Sequence, residues 1–266
     1  MLAAISRAEL LQSLKHQLRQ VSGPEIPAGA ELEVHSTGFP AVDQLLPQGG
    51  IPQGGLIEWL TTGAGSGAAT LALAGVRAAL NRTGLVNKSG RNHSGYWVVI
   101  DPHGEFYPPA VMGWGIPEGR LLLVRPKTAR DAAWAFEQAL RCPGVAVTWH
   151  WVGPIEERVL QRWKVAAEVG GGQGVLFRSS QVLRQASWAD VRWLVKPIAN
   201  HPDASSPGAG RRLRLELAYC RGALGGERVE VECHDETGLV RVVPQLADSA
   251  AHQLAARTGA PRPRSV

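Results

Sequence analysis

Eight consecutive residues, Thr62, Gly63, Ala64, Gly65, Ser66, Gly67, Ala68 and Ala69, have the layout of a loop that could hold a phosphate. In such a loop, backbone N–H groups around the glycines wrap the phosphate. A lysine neutralises the charge, and a serine or threonine holds Mg2+. The consensus is G-x-x-x-x-G-K-[ST]. With Gly67 as its second glycine, Thr62 takes the first, Ala68 the lysine and Ala69 the hydroxyl residue. Backbone donors remain, while the cation and the metal ligand are replaced by methyl groups. Lys88 falls in a polar loop beyond the next helix and is no obvious substitute. Metal also needs a carboxylate at the end of a neighbouring strand, and in GVAVTWHWV that place holds Trp149 or His150. Three requirements fail together. The stretch reads as a strand-to-helix turn with a structural job, and no metal and no cofactor, ATP included, is expected.

The elements around this turn are legible from periodicity. Ser6 and Glu9 form a capping box, and Leu11, Leu14 and Leu18 repeat at helical spacing, which predicts an amphipathic helix over residues 6–20. A strand is expected at 55–60, then the turn, then a helix to about 81. NRTGLVNKSGRNHSG reads as a polar loop. YWVVID is a buried strand ending in Asp101, RLLLVRP is another, and Thr128 with Asp131 caps a helix with Ala133, Phe136 and Leu140 on one face. GVAVTWHWV and GVLFRS are strands separated by a helix that turns Val159, Leu160 and Trp163 inward. Such alternation predicts an α/β fold with a mainly parallel sheet covered on both faces. After residue 190, VRWLVKPI, RRLRLELAYCR, RVEVECHD and LVRVV read as an antiparallel extension. The domains expected are an N-terminal amphipathic helix and linker over 1–33, a core over 34–245, and a C-terminal helix and tail over 246–266 that reads as partly disordered.

Composition limits the classes available. The 266 residues are 44% hydrophobic, without the ~20-residue apolar stretch that a membrane helix needs. Three cysteines without paired spacing fit a reducing cytoplasm and no structural zinc. A net charge of +5 permits contact with nucleic acid without demanding it. The arginines are scattered, apart from Arg211-Arg212-Leu213-Arg214 and the tail.

The order of features resembles the ATPase core of the RecA recombinase. Thr37-Gly38, Asp43, Gly49-Gly50-Ile51-Pro52 and Gly54 match its approach to the phosphate loop, and the likeness runs over roughly residues 34–240. Within that group, STGFPAVDQLLPQGGIPQGGLIEW, AAEVGGGQGVLFRS and RLRLELAYCRGA identify the chain as similar to the ImuA family. The resemblance implies a RecA-like fold with a degenerate phosphate loop, the RecA-like core being residues 34–245. By the same carry-over, the active-site glutamate falls at His103 in the loop after Asp101, with Glu105 two residues on. Of two basic residues that RecA extends to a neighbouring subunit's nucleotide, Tyr219 replaces one and Arg221 preserves the other. Asp101, His103, Trp149 and Arg221 are thus the expected vestiges of an active site. The two DNA-binding loops would follow TWHWV and GVLFRS. GPIEE and SQVLRQAS are too short to track a filament groove, so strand exchange is not expected. Arg178 and Arg184 are the candidate phosphate contacts there.

The function implied is that of a non-catalytic adaptor in the DNA-damage (SOS) response and error-prone translesion synthesis. Its implied partners are an ImuB-like Y-family polymerase homologue and an error-prone DnaE-type polymerase. RecA, a second copy of this chain and DNA are further candidates. A cytoplasmic, bacterial, nucleoid-associated location is implied as well, with no membrane. The helix carrying Leu11, Leu14 and Leu18 would be a partner contact. Two other readings stay open on the residues alone: a divergent DNA-dependent ATPase or recombinase-like protein, and a cell-division inhibitor of the SulA type.

Overall fold

The computed structural model describes residues 33–242 except 64, 82–84, 87–91, 94, 200–209, 224 and 235–238. Leu11, Leu14, Leu18, Ala64, Lys88 and the tail lie outside the described residues. The chain divides into two units, Met1–Glu33 and Val34–Val266. Every strand and helix described belongs to the second.

Strands β1 (Val34–His35) and β2 (Ile51–Pro52) pair antiparallel around the short helix α1 (Pro40–Asp43). The central strand β3 (Leu56–Thr61) leads through the glycine-rich turn into α2 (Ala68–Leu80). Strands β4 (Leu85–Val86) and β5 (Asn92–His93) form a small hairpin inside the segment expected to be a polar loop. There follow β6 (Tyr96–Ile100), the short helix α3 (Pro109–Met112), β7 (Leu121–Val124), α4 (Ala129–Arg141), β8 (Val145–Trp151), α5 (Glu157–Gly170) and β9 (Gln173–Ser179). A 3-10 turn (Ser180–Arg184) connects to β10 (Val191–Pro197), β11 (Arg211–Cys220), β12 (Arg228–His234) and β13 (Leu239–Val242).

Among the described residues, nine strands make one sheet in the order β13-β12-β11-β10-β3-β9-β8-β6-β7. From β10 to β7 all neighbours are parallel, as expected where helices carry the chain back between strands. β11, β12 and β13 add antiparallel hairpin-like partners. The sequence places β10 in that antiparallel extension, and the structure corrects this. β10 runs parallel to β3, with Val191 opposite Ile57, and antiparallel to β11, so the sheet changes direction at this strand.

Parallel strands covered on both faces are apolar almost throughout, and that is what YWVVI and VAVTWHW are. One face buries α2 against Ile57, Trp59, Val99, Trp149 and Phe177. The other buries α4 and α5 through Phe136, Leu140, Leu160 and Trp163 against Leu56, Ile100 and Leu176. Thr128 caps α4 as expected, its Oγ1 accepting from the Asp131 N–H at 3.1 Å. Close approach of α5 and β9 to β8 needs glycine: a Cβ on Gly172 would lie 2.2 Å from the Val145 carbonyl oxygen. No helix among the described residues is long and apolar enough to cross a membrane.

Candidate functional site

The glycine-rich turn sits at the C-terminal end of β3, where a central parallel strand meets the N-terminus of a 13-residue helix. Gly65 and Gly67 adopt φ +73° and +83°, a region that only glycine enters freely. Gly67 is the N-cap of α2 and offers no side chain to its orphan N–H groups. A Cβ there would also meet Cδ1 of Leu213 in β11 at 2.3 Å, so the turn is packed down on the antiparallel part of the sheet. Ala68, at the position of the lysine, is 2% exposed. Ala69 is half-buried, Thr62 and Gly63 are exposed.

The C-terminal part of β8, separated from β3 by β9, carries indoles. Trp149 lies on the α2 side of β8, fully buried, 4.8 Å from the ring of Trp97 and 4.9 Å from Phe177, edge to face in both cases. Trp151, two residues on and therefore on the same face, stacks on Phe177 at 5.0 Å and 18°. It separates two clefts. One, about 340 Å3, runs between Thr61, Thr62 and Gly63 of the turn and Gly153, Arg178 and Ser179 at the ends of β8 and β9. The other, about 250 Å3, is mainly apolar and lies between α2 and residues 101–111. Trp151 and His103 line both.

His150 points to the opposite face, against Phe136 at 5.6 Å and Trp163 at 6.1 Å. Burial pulls its pKa down to about 4, with smaller effects from the Ile100 carbonyl, which raises it, and from His103, which lowers it. The ring is therefore neutral at pH 7. The carboxylate's place at this strand end thus goes to Trp149 and Trp151, and His150 has no access to the turn.

Asp101 is a brace. Its Oδ1 accepts from the Glu105 N–H at 3.0 Å and its Oδ2 from Phe106 N–H at 3.2 Å and Arg125 Nε at 3.4 Å. It folds the loop that carries exposed His103 toward the clefts. Arg221 lies elsewhere. It follows β11 at the level of Val191, the opposite end of the sheet from the turn, 3.8 Å from Asp190. Asp190 also accepts from the Leu56 N–H at 2.8 Å and pairs with Lys164 at 2.7 Å. Within one chain, then, Arg221 anchors the base of β3 and is not a neighbour of the phosphate loop.

Arg178 is no surface cation. Its side chain is 2% exposed, and Nη1 meets Oε1 of the fully buried Glu58 at 2.6 Å. Arg192 Nε holds the other carboxylate oxygen at 2.7 Å, and Ser187 donates to Glu58 at 2.8 Å. The remaining Arg192 donors reach the carbonyls of Val182, Leu183 and Gln185 at 2.8–3.1 Å, which pins the 3-10 turn onto the sheet. Arg184, at the end of that turn, is exposed. The run at 211–214 is no open basic face either: Arg212 and Arg214 both pair with Glu230, at 2.8 and 2.9 Å.

Sequence reasoning missed Glu58, Arg192 and Trp151. The signal for the first two was present. A lone glutamate interrupts the apolar strand LIEWL, and single arginines interrupt FRS and VRW. A charge inside a strand buried on both faces demands a counter-charge on an adjacent strand.

A central parallel strand with a glycine-rich turn at its C-terminal end, flanked by parallel crossovers on one side and antiparallel hairpins beyond β10, defines a RecA-like α/β core. No protein-family model matches the chain. It is 30% identical over 235 residues to Protein ImuA of two strains of Caulobacter vibrioides, a match that covers 84% of this chain and 93% of the relative. The chain belongs to the ImuA family.

Proposed function

We propose that this protein is a non-catalytic RecA-like adaptor in the DNA-damage response, acting in error-prone translesion synthesis through protein partners. Membership of the ImuA family supports the pathway. The observation that carries the non-catalytic part is the filling of the catalytic end of the site by methyl groups and indoles. Ala68 is buried where a lysine would reach over a phosphate, and Trp149 and Trp151 occupy the strand end that would orient metal. The partners that fit this reading are an ImuB-like Y-family polymerase homologue and an error-prone DnaE-type polymerase. Arg192 holds the segment after β9 closed on the sheet, which supports a protein-directed role over DNA strand exchange.

The test is co-purification of the tagged full-length chain with the Y-family homologue from damage-treated cells, combined with calorimetry of Mg-ATP binding. The expected result is recovery of the polymerase homologue without micromolar Mg-dependent ATP binding. Repeated absence of the homologue overturns the adaptor role, and micromolar Mg-ATP binding overturns its non-catalytic character.

A further inference from the structure

Of the nine tryptophans, all within the described residues, Trp134 alone is exposed, at 62%. It sits in the middle of α4, where its indole meets water and gains no packing within the chain. We propose that the outer face of α4 and α5 docks an acidic amphipathic helix of a partner protein. This docking role rests on the adaptor reading and adds to it the surface and the chemistry by which a partner is met.

The face follows from the helical period. α4 turns Ala132, Phe136 and Leu140 to the sheet, which leaves Trp134, Gln138 and Arg141 at i, i+4 and i+7 on the side away from it. α5 buries Leu160, Trp163 and Ala167. Its outward stripe is Arg158, Arg162, Val165 and Val169, the two valines 47% and 64% exposed. Trp163 Nε1 donates to the Ala133 carbonyl at 3.2 Å and Arg162 pairs with Glu137, so the helices lie side by side with both stripes outward. Helices packed at the usual ~8–10 Å leave a groove between such stripes that a third helix can fill.

The same face carries an excess of positive charge. Arg141 and Arg162 share one carboxylate, that of Glu137. Arg158 pairs with Glu156, and Arg130, one turn before Trp134, meets no carboxylate among the described residues. The other acids of the two helices are engaged elsewhere: Asp131 at the Thr128 cap, Glu157 with the Trp188 indole N–H and Glu168 with Lys164. Arginines thus outnumber carboxylates around Trp134 and the valines. Trp and Arg are the residue types that anchor protein interfaces, and Asp or Glu on the incoming helix complements the surplus charge. A second copy does not, since an isologous contact would set this positive face against itself. Trp134, Val165 and Val169 also interrupt the arginines, which suits a protein better than the continuous phosphates of a nucleic acid.

The test is calorimetry of the full-length chain with the purified Y-family homologue at low and high salt, with photo-crosslinking from a benzophenone side chain in place of exposed Gln138. Binding that weakens with salt is expected. The expected crosslink falls in a segment of the homologue whose apolar residues recur every three or four positions among Asp and Glu. Trp134→Ala and Val165→Glu, both at exposed positions, each weaken binding by about tenfold or more, as loss of an interface anchor does, and thermal melts show both variants folded. Arg158→Glu weakens it too, and a Glu→Lys change in the crosslinked segment recovers part of that loss. Met112→Ala, an exposed apolar residue of α3, leaves binding unchanged. Equal binding by Trp134→Ala and Val165→Glu overturns this docking face and leaves the adaptor reading standing, whereas no binding by the unaltered chain overturns both. A crosslink to a second copy or to another segment of this chain, or competition by a DNA oligonucleotide, also overturns the docking face.

Discussion

Replacing Glu58 with glutamine keeps the shape and the hydrogen-bonding atoms of the side chain and removes one negative charge. That charge lies 2.6 Å from Nη1 of Arg178 and 2.7 Å from Nε of Arg192, in a site closed to solvent. Two guanidinium groups are left facing each other across a neutral amide. Breaking a buried ion pair by removing one partner destabilises by about 3–5 kcal/mol. For a folded body of this size that lowers Tm by roughly 6–20 °C. Part of the loss comes from the 3-10 turn, because Arg192 holds two of its carbonyls, Val182 and Leu183, and that of the following Gln185 only while Glu58 fixes the guanidinium. The assay is urea and thermal unfolding followed by tryptophan fluorescence, since Trp59 and Trp193 pack 6.3 Å apart on the strands that carry Glu58 and Arg192. A second variant, Glu58→Leu with Arg178→Met and Arg192→Met, removes all three charges and recovers at least half of the loss, because no uncompensated ion remains buried. A drop in Tm below about 2 °C for Glu58→Gln, or a triple variant less stable than the single one, refutes the reasoning.

The geometry sets four further outcomes. His150 is held neutral, with its pKa about 4 against an unfolded value of 6.5. Between those values the unfolded chain binds the extra proton, so stability is full above pH 6.5 and falls as pH drops toward 4, by roughly 3 kcal/mol in all; His150→Leu flattens the slope of urea midpoint against pH in that window. Gly67→Ala meets both a φ of +83° and the Leu213 methyl at 2.3 Å, and it destabilises by about 1–3 kcal/mol, of which Leu213→Ala returns only the steric share. Ala68→Lys with Ala69→Thr restores the missing consensus residues but yields no ATP turnover in a phosphate-release assay, since the strand-end carboxylate is still absent; measurable Mg-dependent hydrolysis counts against the adaptor reading. Among the three thiols, exposed Cys142 exchanges with a disulfide reagent at pH 8, whereas Cys220, pushed up to about 11 by burial and by Asp190, and buried Cys233 react only after denaturation.

Strands and helices were legible where burial imposes a pattern that neighbours in sequence share. β6, β8 and α4 are such cases, α4 down to its Thr128 cap. The direction of β10 was not, because parallel and antiparallel strands carry the same apolar residues and only the identity of the neighbour, β3 or β11, decides. The site was legible in its losses: a missing lysine or hydroxyl is visible in one chain of letters. The long-range contacts around it were not. Glu58 meets Arg178 and Arg192 across separations of 120 and 134 residues, and the same separations made Arg178 look like a free surface cation. Trp149 and His150 were equal candidates for the strand end until the alternation of β8 put Trp149 and Trp151 on the α2 face and His150 on the other.

The cluster of Trp97, Trp149, Trp151, Phe106 and Phe177 has a consequence for the history of the chain. A metal–nucleotide site could arise at the end of β8 by substitution only while its space stayed open. Here that space is occupied. Replacing Trp149 with aspartate would bury a lone carboxylate among rings and leave a void the size of an indole, before any nucleotide could compensate. Each one-letter path toward an ATPase therefore passes through a less stable protein. The aromatic packing acts as a ratchet against the acquisition of metal–nucleotide chemistry at this strand end.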